Sequence, residues 1–254
     1  MIKKILFSTL VLDILALSVW WVHDTDVLLL LSAPWALAAA AALGTALGIT
    51  RAVFSARARG DGKTERHSVD AFLEHWGTAA GIFILIISGY WMGSGGMFAR
   101  NLHFLGILVT LFFGGYFLAD FFITKKHAAL LPDSRDITGG TLGKYCLGNC
   151  WRESGKYLSS QKSAFLVFAI LGSEILFTGA VKAAAFFRAV PPDVINVSTS
   201  VHDAVGMLFG VVLLVHMLLV VTVRAHRPLL GHWLRGDLAG ELEPGFREEP
   251  VEEN

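Results

Sequence analysis

VHDAVGMLFGVVLLVHMLLVV, residues 201–221, is apolar enough for lipid, yet it holds two histidines, His202 and His216, 14 positions apart. On an α-helix this spacing is a rise of about 21 Å and a rotation about 40° short of four turns, so the two rings share one face. A segment of this length and apolarity reads as a membrane-spanning helix. Ionisable groups inside such helices are costly and as a rule functional. Two imidazoles stacked across most of the hydrocarbon layer therefore need partners at two depths.

The rest of the chain reads the same way. Of its 254 residues, 54% are hydrophobic and 17% charged, against about 25% charged in a soluble domain. Mean hydropathy is +0.57. Formal net charge is zero, so no general attraction to polyanions is implied. Six apolar runs are long enough to span lipid: 4–22, 27–50, 73–93, 102–124, 163–187 and 201–223. Helices are expected, because open strands leave backbone groups unsatisfied in lipid, and the alternation of a transmembrane barrel is missing. The first run follows Lys3 and Lys4 and ends at Trp20 and Trp21 without a small-residue cleavage pattern, so it reads as a retained signal-anchor.

Charge orders the connections. Lys3 and Lys4, residues 51–72, residues 125–162 and the tail from Arg224 carry 18 of the 21 Lys and Arg residues; the other side has only Arg100, Lys182 and Arg188. By the positive-inside rule both termini are cytoplasmic, and the expected place is the cell's inner membrane. The tail 236–254 is acidic and without periodicity, a solvated end. No connection is long enough for a soluble catalytic domain, and no nucleotide-binding glycine pattern occurs. Chemistry on a hydrophilic substrate must then belong to a partner subunit. Cys146 and Cys150 cannot build a disulfide framework; two thiols alone do not complete a metal site.

Four of the nine histidines fall on the last four spans. His75 opens the third span at its inner end, and His103 opens the fourth at its outer end. His202 opens the sixth at the outer end, with His216 deeper. His103 matches the depth of His202, and His75 that of His216. Paired imidazoles on facing helices suit haem iron, so two b-type haems are expected, each with two axial histidines. Single histidines at helix ends are commonly plain interfacial residues; the pairing by depth is what favours ligation.

Other polar groups in or beside the spans carry plainer alternatives. Glu174 reads either as a protonated, hydrogen-bonded core group or as part of a proton path or haem environment. Arg100, Lys182 and Arg188 on the outer side, and Arg66, Lys156 and Lys162 on the inner side, read as haem-propionate partners or as ordinary interfacial charges. Gly81, Gly89, Gly106, Gly114, Gly115, Gly172, Gly179, Gly206 and Gly210 read as close helix packing or as room for a porphyrin. Gly206, four residues from His202, leans toward the latter.

These residues resemble the di-haem cytochrome b membrane subunit of formate dehydrogenase, the gamma subunit family, to which cytochrome b subunits of hydrogenases and thiosulfate reductases are related. The resemblance runs over about residues 66–235 and rests on RHSVDAFLEHWGTAAGIFILIISG (66–89), LHFLG (102–106), GKYLSSQKSAF (155–165) and FTG (177–179). It implies a four-helix di-haem core at 73–235 within the all-α transmembrane bundle; the two additional helices within 1–50 and the basic linker at 51–72, read from the apolar runs and the charge, have no counterpart in the best-known member of the family. It implies His103 and His202 as axial ligands of the outer haem, and His75 and His216 as those of the inner haem. It also implies a quinone site, menaquinone or ubiquinone, near the inner haem, with Gln161 at a matching position and Tyr157 beside it. Leu158 stands where the family has an asparagine, and Phe72 where it has a basic residue.

The expected function is electron transfer between a partner iron-sulfur or other redox subunit, joined to a catalytic dehydrogenase subunit, and the membrane quinone pool. Formate dehydrogenase is the leading complex; a hydrogenase, a sulfur-compound reductase or an organic-acid dehydrogenase are alternatives. A small transporter or scaffold is the alternative of another class, although transporters more readily show internal repeats and broken helices.

Overall fold

A computed structural model describes residues 34–58, 69–143, 157–185 and 187–222. The expected first span, 4–22, lies outside the described residues, as do Cys146, Cys150, Arg66, Lys156 and the acidic tail. Within them the chain is all-helical. The helices are α1 (Pro34–Ala58), α2 (Val69–Trp91), α3 (Gly96–Ile123), the single turn α4 (His127–Leu130), a π-helix (Asp136–Gly143), α5 (Ser159–Ala184) and α6 (Pro192–Thr222). Five of them, all but α4 and the π-helix, are long and apolar enough to cross a membrane. The chain is a multi-pass helical membrane protein.

Helix ends follow local chemistry. Pro192 stands at the first position of α6, where a missing N–H costs nothing. Asp193 follows Pro192 in the first turn, favourable at the positive end of the helix dipole. The Leu158 N–H donates to Gln161 Oε1 at 3.0 Å, closing the start of α5. Gly96 has φ of 56°, which completes the tight reversal after α2.

Two expectations about boundaries need correction. α1 runs to Ala58, into the stretch expected as a basic linker from 51. α6 begins at Pro192, nine residues before the apolar run. A short polar stretch can continue a helix, since only its apolar part must match the bilayer. His202 and His103 therefore sit well inside α6 and α3 rather than opening them.

Packing in lipid depends on close approach, because apolar side chains gain little over lipid tails. α1 lies along α3 on a seam of small residues. Gly44 and Gly48 of α1 rest on the backbone of Phe112 and Tyr116, and a Cβ at Gly115 of α3 would come within 2.8 Å of the Ala41 carbonyl. α2 and α3 pack in the same manner around Gly81 and Gly106. α5 and α6 form a second pair. Contact between the pairs is concentrated at two places. Gly210 of α6 faces the Tyr90 hydroxyl of α2, and Phe117 and Phe121 of α3 meet Phe165 of α5 at ring separations of 6.0 and 5.6 Å.

Candidate functional site

The α2–α3 pair and the α5–α6 pair each present a histidine at the same end of the bundle, the end marked by Arg100 and Lys182. Ser88 on α2 is fully buried and its hydroxyl lies 3.0 Å from His103 Nδ1 on α3. Thr178 on α5 lies 2.9 Å from His202 Nδ1 on α6. Each hydroxyl is followed by a glycine that lies against the ring: a Cβ at Gly89 would be 3.7 Å from His103 Cε1, and one at Gly179 would be 3.4 Å from His202 Cε1, both ordinary van der Waals contacts. His103 and His202 are near enough to interact electrostatically, and both feel Lys182. Lys182 in turn approaches Asp203 at 3.8 Å.

The hydroxyls favour one tautomer of these rings, alongside the Leu85 carbonyl, which also hydrogen-bonds His103, and the Ile175 carbonyl, which also hydrogen-bonds His202. Ser88 Oγ donates to the Ile84 carbonyl at 2.6 Å, and Thr178 Oγ1 donates to the Glu174 carbonyl at 2.7 Å. A hydroxyl has one proton, so toward the imidazole it offers a lone pair. Nδ1 then carries the ring proton and Nε2 is left with an open lone pair, the form that binds a metal.

The second pair lies at the opposite end, marked by Lys126. His75 of α2 and His216 of α6 are near enough to interact electrostatically. Trp76 meets His75 edge-on at 5.4 Å, and Phe168 meets His216 edge-on at 5.5 Å. Between the two levels the inner face of α6 carries Gly206 and the buried Phe209, which packs on Phe168 at 5.3 Å. A Cβ at Gly206, at Gly172 of α5 or at Gly114 of α3 would meet nothing within 4 Å. Gly114 shares a helix face with His103, 11 residues further along. Of the glycines singled out in the sequence, these three border open space, whereas Gly81, Gly106 and Gly115 serve close packing.

All four candidate histidines are thus brought together two by two, on α2, α3 and α6. Among the described residues no three His, Cys, Asp or Glu side chains converge on one point. Two imidazoles per level suit a metal whose other ligands come from a macrocycle. No protein-family model, no curated protein and no solved structure matches this chain, so the site stands on its own geometry.

Beside His75 lies a cluster that the sequence reading missed. Glu74 and Asp120, 6% and 5% exposed, both bind Lys126: the ammonium is 2.8 Å from Glu74 Oε2 and in direct contact with Asp120 Oδ2. Burial works against the Lys126 charge, but the two carboxylates outweigh it and hold the ammonium above the ordinary lysine value. Lys125 makes this possible. Its φ of 57° is left-handed, a rare conformation for a residue with a Cβ, and it reverses the chain so that Lys126 folds back on the end of α3. A hint existed in three ionisable residues near one end of two apolar runs. Their meeting depends on that one reversal.

Tyr157 and Gln161, the candidate quinone contacts, open α5 at this same end. Burial pushes the Tyr157 phenol above its usual range, and it lies within electrostatic reach of Lys126, Glu74 and Asp120. Gln161 uses Oε1 on the helix cap. The segment ahead of α5 is pinned by Asp136, which accepts from Ser159 at 2.6 Å and Lys162 at 2.9 Å. Burial opposes the Asp136 charge, yet these hydrogen bonds hold its carboxyl below the ordinary aspartate value. Lys162 is therefore an ion-pair partner of Asp136. Glu174 is exposed on α5, so of its two readings the protonated, hydrogen-bonded core group does not hold. Arg100 and Arg188 are exposed at the other end.

Proposed function

We propose that this chain is the membrane-anchoring di-haem cytochrome b subunit of a multi-subunit oxidoreductase. It passes electrons between a partner redox subunit and the membrane quinone pool. The observation that carries this reading is the arrangement of four histidines as two couples about 21 Å apart along α6, one couple having Nδ1 of both rings against a hydroxyl. A Cβ at Gly114, Gly172 or Gly206 would meet no neighbour within 4 Å, which is consistent with room for a bulky group beside these helices. His103 and His202 would hold one haem b, and His75 and His216 the other. A bound haem supplies one-electron chemistry at its iron.

The likeness of the sequence to the formate dehydrogenase gamma family supports a formate dehydrogenase-like complex. The charge split supports an inner-membrane location with both termini cytoplasmic and the His75–His216 level on the cytoplasmic side. Tyr157 and Gln161 are the quinone contacts in this reading. Gln161 would reach a quinone carbonyl through its amide N–H, since Oε1 caps the helix. Quinone reduction there takes up two electrons and two cytoplasmic protons.

The test is a reduced-minus-oxidised absorption spectrum with haem quantification on the purified membrane protein. Two low-spin b-type haems per chain are expected. His216→Ala should lose one haem and quinone reactivity while the other haem stays, and His103→Ala should lose the complementary haem. Retention of both haems in either variant overturns the ligand assignment. Mass spectrometry of co-purified subunits identifies the complex.

A further inference from the structure

The two hydroxyl–imidazole contacts form a matched set. They lie on different helix pairs, on residue types that differ by a methyl group, and each is followed by glycine. Each hydroxyl gives its proton to the carbonyl one turn back, Ile84 or Glu174. Each presents its oxygen to Nδ1 of the histidine on the next long helix. Thr178 is itself fixed: its carbonyl accepts the Ser198 hydroxyl of α6 at 3.0 Å.

We propose that Ser88 and Thr178 are positioning residues for the His103–His202 couple, setting both the tautomer and the donor strength of the two rings. This rests on the function proposed above. An Nδ1–H that donates a hydrogen bond leaves more electron density on the ring, so Nε2 becomes a stronger donor to the metal. A stronger donor favours the oxidised metal and lowers its reduction potential. Because the two contacts act on opposite sides of one centre, their effects have the same sign.

The experiment is redox potentiometry of the haem-loaded full chain, with low-temperature EPR, on wild type, Ser88→Ala, Thr178→Ala and the double variant. One of the two haems should shift to higher potential in each single variant and further in the double, with altered low-spin g values, while the other haem is unmoved. Ser88→Thr and Thr178→Ser keep the hydroxyl and should restore the wild-type potential. Loss of one haem in the alanine variants that the hydroxyl exchanges repair supports the same assignment. Unchanged potentials and g values in the double variant overturn it, as does an equal change in the hydroxyl-retaining variants. A wild-type chain that binds no haem defeats the proposed function; two haems indifferent to both hydroxyls defeat only this inference.

Discussion

The two ends of the bundle fix their histidines by different physics. At the Arg100 end, neutral hydroxyls on the neighbouring helix hold His103 and His202, with a glycine after each lying against the ring. At the Lys126 end, aromatic edges flank His75 and His216, and buried ions tie α2 to the turn after α3. A hydroxyl contact is short-ranged, directional and tolerant of a dry interior. A buried ion triad is stronger in its parts but depends on every member, because an unpaired charge cannot return to water. One end is built for orientation, the other for anchoring.

Removing the central cation should break this contrast most visibly. Lys126→Met leaves Glu74 and Asp120 facing each other in a dry site and should cost about 3–5 kcal/mol, read as unfolding in detergent by circular dichroism. Adding Glu74→Gln should return part of that loss. A cost below about 1 kcal/mol would mean that water reaches the cluster. Next in size is Asp136→Asn, which weakens the hydrogen bonds from Ser159 and Lys162. A loss of about 1–3 kcal/mol of local stability is expected as faster amide exchange across 157–163, with the His103 level unaffected.

Acid should act on the same end. The folded Asp136 carboxyl is held below the ordinary value of 3.8, while unfolding returns it to that value. Its stabilisation is therefore complete above 3.8 and is lost as pH falls through the lower folded value. Exchange across 157–163 should rise in that acid window, and Asp136→Asn should abolish the dependence. The smallest expected effect is a gain. Lys125→Gly removes the left-handed strain and should stabilise the turn by about 1 kcal/mol, seen as a higher unfolding midpoint with the Lys126 ion pairs intact.

Much of this contrast was legible at the Arg100 end and little of it at the Lys126 end. His202 and His216 announce their shared face through spacing within one helix, because helical rotation is fixed by the backbone. The Ser88-Gly89 and Thr178-Gly179 pairs also stand in the sequence as small residues on apolar helices. That their hydroxyls meet Nδ1 of His103 and His202 depends on how each helix rotates against its neighbour. Glu74, Asp120 and Lys126 gave a weaker signal. Asp120 lies within an apolar run and Lys126 in a basic turn, and only the reversal at Lys125 joins them. Glu174 erred in the other direction: mid-span depth is readable from sequence, but which side of the helix faces the interior is not.

The sequence by itself determined a multi-pass helical protein, the approximate spans and the stacking of two histidines on α6. These follow from apolar length against bilayer thickness and from the fixed pitch of a helix. Only the tertiary structure decided which glycines border open space and which hydroxyls and ions hold each level. Those depend on helix rotation and close approach, and in lipid these are set by contacts between distant segments rather than by the hydrophobic pattern of any one of them.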